Sequence, residues 1–476
     1  MYRIKIIQST LLLLSPFFLF SQKDQGLDCF SILAGKDATS DGSVMLAHNE
    51  DDWGDRIVNW YKVTERSHKK TDSVVLKNGA SMALPSQTWS YLWLEMPEME
   101  FSDSYMNEWG VTIASDACLS RENDPELTNG GIGYWLRRSM AEQAKSARDA
   151  VKIGGRLVDT YGYSSSGRTY CIADATEVWM LSVVKGKHWV AQRVPDDQLA
   201  IIPNYYTIGS IQLDDTLNFY GSPDLISYAE EKGWYSPETD SVFNFREAYS
   251  DTGTLNNTGN IVRHWSAMNA LSGKKYEIDS EFPFSFEPSE KIRLQDLFSV
   301  LRNHNEGTEY DGSKGYTKGN PHEFGRAICS QTTQYGFVAQ LRQNMPKELA
   351  YVMWLSPFRP CVHPFTQWYF GIDEIPEQYR NGTWQEALDN HFETIDNPDE
   401  YASGHAFLKY VKEAKAIDSS YHDKIEDISI GLKQIENGLI NKQPVIEQRL
   451  MDLYEKDREQ AVKAISGYVT RGFKTD

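Results

Sequence analysis

The chain has 476 residues, of which 40% are hydrophobic and 12% aromatic, enough apolar side chains to build a large core and to exclude an intrinsically disordered protein. Its formal charge of -19, from 67 acidic and 48 basic residues, would repel a phosphate backbone or an anionic bilayer. Because no Lys/Arg cluster interrupts this charge, we expect no nucleic-acid partner.

The first 22 residues have the features of a secretory signal. Arg3 and Lys5 precede the apolar run at residues 11–20, and polar residues follow it. The run is too short to span a bilayer core of about 30 Å as a helix, so we interpret residues 1–22 as a signal peptide. We therefore expect an exported protein, periplasmic or extracellular, that has no stable membrane span.

Two short β-favouring runs follow, at residues 30–34 and 44–49, and the loop between them contains an Asp-Gly turn signal. An antiparallel hairpin would bring the start of its first strand opposite the end of its second. Cys29 should then lie near a polar cluster formed by His48, Asn49, Glu50 and Asp51. In a regular strand His48 and Asp51 point to opposite faces, and a one-residue slip in register exchanges which of them faces Cys29. A bulge could bring both to the thiol.

The rest of the chain alternates between helical and strand patterns. Helical spacing extends over residues 134–161, and three strand-like runs at residues 169–173, 177–184 and 189–194 predict an antiparallel meander. Beyond about residue 385 the chain is charged and helical. There we expect a helical hairpin whose second helix begins at Pro444.

Motifs for metals and disulfides are incomplete. The loop that begins at Asp37 starts like a calcium loop but has His48 where a bidentate Glu is required, and His322 lacks the second His of a zinc-protease helix. We therefore expect no metal and no cofactor. At least one thiol should be free, because the cysteines are widely spaced and odd in number, namely Cys29, Cys118, Cys171, Cys329 and Cys361.

The stretch from Cys29 to Asp51, CFSILAGKDATSDGSVMLAHNED, resembles the opening of mature bacterial dipeptidases related to secernins. These are N-terminal nucleophile hydrolases, as are penicillin V acylase and bile salt hydrolase. Similar landmarks continue to about residue 380. They include Asn107-Glu108-Trp109-Gly110-Val111, Val194-Pro195 leading to Asn204, Arg263-His264-Trp265 and Gln340-Leu341-Arg342.

The resemblance implies an α+β fold, a four-layer αββα sandwich in which two antiparallel sheets pack face to face between helices. The catalytic domain would cover residues 29–384. A short propeptide at residues 23–28 would precede it, and an α-helical C-terminal extension at residues 385–476 would follow it.

The resemblance also implies the chemistry. Cys29 would be the nucleophile, and its own α-amine, freed when the leader is removed, would be the base. Asp51 would hold that amine, Asn204 would donate a hydrogen bond to the oxyanion, and Arg263 would supply positive charge. One position departs from the pattern: His48 stands where related enzymes have Arg. Since His titrates near pH 6.5, thiolate stabilisation by this residue would weaken above neutrality.

We therefore expect a cysteine-dependent dipeptidase that hydrolyses a small peptide substrate through a thioester intermediate. Two alternatives stay open. One is an amidohydrolase of another linear amide, of the N-acyl or bile-salt type. The other is a noncatalytic surface lipoprotein anchored at Cys29, although Asp28 stands where a small residue would be expected. The sequence leaves a homo-oligomer open.

Overall fold

The structure is a computed structural model that describes residues 29–52, 56–240, 242–395 and 402–471. The expected signal peptide and propeptide lie outside the described residues. Within them, no helix is long and apolar enough to cross a membrane.

The strands are short and for the most part buried. In chain order they are β1 (Phe30–Ala34), β2 (Val44–Asp51), β3 (Asn59–Val63), β4 (Arg66–Ser67), β5 (Ser73–Val75), β6 (Ser81–Ala83), β7 (Gln87–Thr88), β8 (Tyr91–Glu95), β9 (Ser104–Asn107), β10 (Thr112–Ala117), β11 (Tyr163–Ala173), β12 (Val178–Gly186), β13 (Trp189–Val194), β14 (Leu199–Ile202), β15 (Phe219–Gly221), β16 (Ser285–Phe286), β17 (Thr333–Leu341), β18 (Tyr351–Pro357) and β19 (Thr366–Tyr369).

The helices fall between and after the strands. They are α1 (Tyr134–Gln143), α2 (Ala147–Tyr161), α3 (Leu225–Glu231), α4 (Phe245–Tyr249), α5 (Thr252–Leu255), α6 (Thr258–Leu271), α7 (Leu294–Leu301), α8 (Lys347–Ala350), α9 (Trp384–Asn390), α10 (Ala406–Asp418), α11 (Tyr421–Tyr454) and α12 (Arg458–Arg471). Short 3₁₀ helices cover Lys36–Ala38, Pro321–Glu323 and Glu377–Tyr379.

Two antiparallel sheets form the centre of the molecule. The first has the strand order β16-β14-β1-β2-β17-β18-β19, and the second has the order β15-β13-β12-β11-β10-β9-β8-β3. Strands β1 and β2 contact β10 and β11 across the gap between the sheets. Helices α1 and α2 cover the outer face of the second sheet, where Leu136 and Val151 pack with Trp179. Helices α6 and α7 contact β14, β2 and β17. The four-layer αββα prediction is therefore confirmed.

The predicted hairpin and meander are also confirmed. Strand β1 pairs with β2, and β11, β12 and β13 form a continuous antiparallel meander. The helical pattern over residues 134–161 is divided into α1 and α2, because Ala144 is extended and the Ser146 side chain accepts from the Asp149 amide to begin a new helix.

The prediction that Pro444 begins a helix is wrong, because it lies inside the 34-residue helix α11. A proline in a helix interior lacks an N–H donor and costs about 3 kcal/mol. Here the neighbouring residues hold the helix against the first sheet. Buried Gln443 donates to Gln340 of β17 (2.9 Å), and buried Glu447 accepts from Tyr369 of β19 (2.9 Å). Tertiary contacts on both sides of the proline offset its local cost.

Candidate active site

Cys29 immediately precedes β1 and is 3% exposed. The register pairs Ser31 with His48 and Phe30 with Asn49, which places Cys29 beside Glu50. Its thiol donates to Glu50 Oε1 at 3.2 Å and lies 3.7 Å from the Asp51 carbonyl oxygen. The expected polar cluster thus forms around Cys29, and Glu50 is the residue whose side chain contacts the thiol.

The sequence left open a bulge that would bring both His48 and Asp51 to the thiol. A bulge is present beside Asp51, but it lies on β17, the strand next to β2. The pairing of β17 with β2 shifts between Thr333 and Tyr335, opposite Asp51 and Glu50. The Asp51 carboxylate accepts from the Thr333 hydroxyl at 2.7 Å and also from Ser330. The bulge therefore directs the Asp51 side chain toward hydroxyls of the β17 end, while the Asp51 carbonyl stays at the thiol.

A chain of buried hydrogen bonds extends inward from the thiol. The Ser31 hydroxyl donates to Asp116 Oδ2 (2.7 Å), so with its single proton used it accepts from His48 Nδ1 (2.8 Å). His48 Nε2 then faces Glu50 Oε2 at 3.0 Å, and the other Glu50 oxygen accepts from Cys29. We call this set of five residues, Cys29, Glu50, His48, Ser31 and Asp116, the relay.

Burial determines the charges in the relay. It raises the pKa of Glu50 to about 8 and lowers the pKa of His48 to about 4. At neutral pH Glu50 is therefore protonated and donates to a neutral His48, which agrees with the donor directions above. Burial also raises the pKa of Asp116 to about 6, and burial is the largest cause that raises the pKa of the Cys29 thiol above its usual value. The expectation that His48 titrates near pH 6.5 is wrong, because the imidazole is fully buried.

Positive charge reaches the relay from the second sheet and α1. Arg137 and Arg168 both donate to the Ser115 hydroxyl, at 2.9 and 3.2 Å, and both are buried. Arg168 interacts electrostatically with Cys29 and Glu50. A cation is therefore present near the thiol even though position 48 carries a neutral imidazole.

Asn204 and Arg263 lie on the backbone side of Cys29. Arg263 donates to the Cys29 carbonyl oxygen (3.3 Å), to Asn204 Oδ1 (2.7 Å) and to Asn260 Oδ1 (2.8 Å). Asn204 follows β14 and has a φ of +72°, a left-handed conformation that Asn tolerates better than most residues. Its amide nitrogen donates to the Ala117 carbonyl at 3.1 Å. Arg263 therefore fixes the orientation of the Asn204 amide beside the nucleophile.

The structure thus brings together all the candidate residues, namely Cys29, His48, Asp51, Asn204 and Arg263. Sequence reasoning missed the role of Glu50 as the thiol's partner, although the strand period of two places it on the same face as His48. It also missed Asp116 and Arg168, which come from the other sheet and carry no local signal. Two clusters of described residues have ligand atoms close enough to hold a metal, the trio Cys29, His48 and Glu50 and a separate group of two histidines and two cysteines.

Comparison with known proteins gives the class. The model of peptidase family C69 matches residues 28–405, which cover the two sheets and every candidate site residue. The protein is therefore a peptidase, a hydrolase of peptide bonds. It belongs to peptidase family C69.

Several curated relatives resemble the chain along much of its length. A probable dipeptidase of Latilactobacillus sakei is 28% identical over 377 residues, 76% of this chain and 78% of the relative. A probable dipeptidase of Salmonella dublin is 26% identical over 358 residues, 72% of this chain and 81% of the relative. A probable dipeptidase B of Streptococcus pyogenes serotype M1 is 25% identical over 476 residues, 94% of this chain and 93% of the relative.

Among solved structures, a mutant conjugated bile acid hydrolase from Clostridium perfringens is similar over 69% of this chain and 89% of its own. The identity is 12% and the TM-score is 0.27. This likeness is too low to support an argument, and the fold assignment rests on the sheets and helices described above.

Proposed function

We propose that the protein is a dipeptidase in which Cys29, once it is the first residue, is the nucleophile. The observation that carries this proposal is the position of Cys29, which immediately precedes β1. Its thiol lies 3.2 Å from Glu50 Oε1, and its own carbonyl oxygen accepts a hydrogen bond from Arg263. A dipeptide is the proposed substrate because the curated relatives that match most of the chain are named probable dipeptidases.

The proposed reaction uses two steps. The Cys29 thiol gives its proton to its own free α-amine and attacks the scissile carbonyl, and the amine leaving group departs with a proton as a thioester forms. Water then attacks the thioester while the α-amine takes one of its protons, the C–S bond breaks to release the acid, and that proton returns to the sulfur to restore the thiol. In this scheme Asp51 holds the ammonium form of the amine, and the Asn204 amide turns from the Ala117 carbonyl to the oxyanion, which would be worth several kcal/mol of barrier.

The surroundings of the thiol support a nucleophilic role over a structural one. A buried structural cysteine needs only apolar neighbours. Cys29 instead has a carboxyl within hydrogen-bond distance and Arg168 within electrostatic reach. Burying these polar groups costs free energy. Such a cost is expected at a site where the groups stabilise the changes of charge that a reacting thiol undergoes.

Export and maturation are part of the proposal. A leader of residues 23–28 would remain after signal cleavage, and until it is removed the Cys29 nitrogen is an amide that cannot accept a proton. The precursor would therefore be inactive. The Cys29 thiol attacking the preceding carbonyl would be the simplest route to maturation.

The test combines mass analysis with kinetics. The intact mass and N-terminal sequence of active protein should show a chain that begins at Cys29 with a free amine, and at least one free dipeptide should be hydrolysed. Cys29→Ala should reduce turnover to background. Cys118→Ala is the matched control, because Cys118 is equally buried but lies in the core between the sheets. Full activity with Lys23 or an earlier residue attached would overturn the mechanism, and a diacylglycerol adduct on Cys29 would establish the lipoprotein alternative.

The substrate panel should also contain N-acyl amino acids and conjugated bile acids. Turnover of these blocked amides alone would contradict the dipeptidase assignment while leaving the nucleophile in place. The two parts of the proposal therefore fail separately.

A further inference from the structure

A second cluster of reactive side chains lies in the segments that follow α7, precede β17 and follow β18. His304 follows α7, His322 lies in the 3₁₀ helix Pro321–Glu323, Cys329 precedes β17 and Cys361 follows β18. Each offers one ligand atom, and the four atoms all lie within 4.8 Å of one another. All four residues are buried.

The distances suit a tetrahedral ion. The Cys361 sulfur lies 3.4 Å and the Cys329 sulfur 4.0 Å from His322 Nε2. With Zn–S near 2.3 Å and Zn–N near 2.0–2.1 Å, a tetrahedral S₂N₂ site has sulfur-to-nitrogen edges of about 3.6 Å. The His322 nitrogen and the two sulfurs are therefore already near the positions that zinc requires, and the His304 ligand atom lies within 4.8 Å of all three.

The outer nitrogens of both histidines are held by carboxylates. His304 Nδ1 pairs with Glu306 Oε1 at 2.9 Å, and His322 Nδ1 pairs with Asp418 Oδ1 at 3.0 Å. This arrangement fixes each ring so that Nε2 points into the cluster, as in the carboxylate–histidine–zinc pattern. Within the described part of the chain, His304 Nε2 makes no hydrogen bond of good geometry, although Cys361 is near enough to interact with it.

Charge and shielding agree with a divalent ion. Two thiolates and two neutral imidazoles around a 2+ ion form a neutral centre, which is the state that burial favours. Tyr421, the first residue of α11, packs edge-on against the rings of His304 and His322, with centroid distances of 6.2 and 5.7 Å. Soft sulfur and imidazole ligands in a tetrahedral set favour Zn²⁺ over Ca²⁺ or Mg²⁺.

We propose that His304, His322, Cys329 and Cys361 bind one Zn²⁺ as a closed, structural site. Binding releases the two thiol protons and forms two Zn–S and two Zn–N bonds. All four positions are filled by protein ligands, so no coordination position is open for water or substrate. The zinc is therefore distinct from the chemistry at Cys29.

The position of the site indicates what it stabilises. The segment from residue 302 to 332 has little regular structure beyond its 3₁₀ turn, and a loop of this length needs an organising contact. Zinc would join it to the loop after β18, and through Asp418 to α10. Cys329 immediately precedes Ser330, whose hydroxyl contacts the Asp51 carboxylate. The ion would thus fix the position of the segment at the start of β17, whose hydroxyls donate to the Asp51 carboxylate.

Two other outcomes compete with zinc. Cys329 and Cys361 are close enough that oxidation in an exported protein could join them as a disulfide. Zinc could also bind only at Cys29, His48 and Glu50, which lie within 4.8 Å of one another. Each alternative predicts a different metal content and a different response to substitution.

The experiment measures metal in the full-length protein purified without chelator, by inductively coupled plasma mass spectrometry. We expect one zinc per chain in wild type, Cys29→Ala and the matched control Cys118→Ser, and less than a tenth of that in Cys329→Ser and Cys361→Ser. X-ray absorption of the wild type should give two sulfur and two nitrogen neighbours. Co²⁺ added to stripped, reduced protein should produce the visible absorption of a tetrahedral thiolate site.

The wild-type measurements do not depend on whether the variants fold. Metal-free wild-type protein that fails to take up Co²⁺ would overturn the proposal. So would a Cys329–Cys361 disulfide in freshly purified protein, detected as a mass two hydrogens lower, or loss of the zinc in Cys29→Ala alone. None of these readouts uses peptidase activity, so the zinc site stands or falls independently of the proposed function.

Discussion

At the scale of single residues, the protonation of the relay is the main feature of the site. Glu50 and His48 lie between the sheets with Asp116, and burial moves the pKa of Glu50 to about 8 and that of His48 to about 4. A protonated carboxyl and a neutral imidazole share one proton without placing a charge pair in the core. From Cys29 through Glu50 and His48 to Ser31, each donor of the relay thus meets an acceptor at neutral pH, and the chain ends on Asp116 Oδ2.

This protonation gives stability a pH dependence that can be isolated with Glu50→Gln. The folded pKa of Glu50, about 8, is above its unfolded value near 4.3, so the native state holds a proton that the unfolded state releases. The contribution is present in full below about pH 4.3 and is lost as pH rises to about 8. Gln can make the same donor and acceptor contacts without titrating.

Between pH 5 and 8.5, we expect wild type to lose stability relative to Glu50→Gln, by an amount on the order of a few kcal/mol. Denaturant midpoints measured for both proteins at several pH values check this. Titration of other groups cancels in the comparison. Parallel profiles would show that Glu50 is already ionised in the native state.

Arg168 is predicted to replace the charge that the family pattern places at position 48. It acts electrostatically on Cys29, so its removal should raise the pKa of the thiol further. We expect Arg168→Met to lower kcat/KM at pH 7 about tenfold, equivalent to roughly 1.4 kcal/mol, and to move the acidic limb of the pH profile upward. Arg168→Lys, which keeps the charge, should retain most of the activity. Equal losses in two folded variants would indicate a packing role.

At the scale of elements, the sequence predicted the features that depend on neighbouring residues and missed those that depend on contacts between distant segments. The hairpin and meander were predictable because alternation and turn signals are local. The hairpin register was not, because a one-residue slip keeps the same pattern and exchanges the two faces of the strand. The link between Ser31 and Asp116 joins two sheets, and no sequence spacing encodes it. The cluster of His304, His322, Cys329 and Cys361 was not anticipated for the same reason, since the four residues are far apart in sequence and have none of the short spacings by which zinc sites are recognised.

Helix α11 shows the opposite error. The local rule that proline begins a helix was applied at Pro444, where contacts with the first sheet allow the helix to continue through it. Pro444 is exposed within this helix and leaves the Ile440 carbonyl without its usual intrahelical donor. Pro444→Ala should restore that hydrogen bond and raise stability by about 1–3 kcal/mol, measured by thermal or denaturant unfolding. Val445→Ala, at an adjacent position whose side chain is 55% exposed, is the control and should change stability by less than about 0.5 kcal/mol. No gain from Pro444→Ala would mean that the helix is bent in a way that the proline suits.

At the scale of the whole molecule, the C-terminal helices are joined to the sheets by paired charges. Arg302 pairs with Glu436, Arg342 with Glu447, and Arg359 with Asp418; in each pair the arginine belongs to the segment before residue 384 and the carboxylate to α10 or α11. The six side chains are at most 18% exposed. Because an unpaired buried charge costs several kcal/mol, these helices form one packed body with the sheets.

The pair of Arg342 and Glu447 provides the sharpest test of this arrangement. Arg342 donates two hydrogen bonds of 2.7 Å to Glu447, and Tyr369 and Gln443 each donate one of 2.9 Å. Glu447→Ala leaves the guanidinium buried and uncompensated, so we expect a loss of about 3–5 kcal/mol in the free energy of unfolding. The exposed pair of Glu459 and Lys463 is the control, and Glu459→Ala should cost less than about 1 kcal/mol.

The double variant Arg342→Met with Glu447→Leu distinguishes two causes of the instability of Glu447→Ala. One is the loss of the ion pair, and the other is the burial of an unpaired guanidinium. If the cost of Glu447→Ala comes from the unpaired guanidinium, replacing both partners with apolar residues of similar volume should recover most of the stability. If the double variant is as unstable as the single one, the ion pair itself holds α11 against the segment that follows β17. Denaturant midpoints of the three proteins decide between these results. Because this pair lies far along the sheet from Cys29, peptidase activity measured below the midpoint should be unchanged in every folded variant.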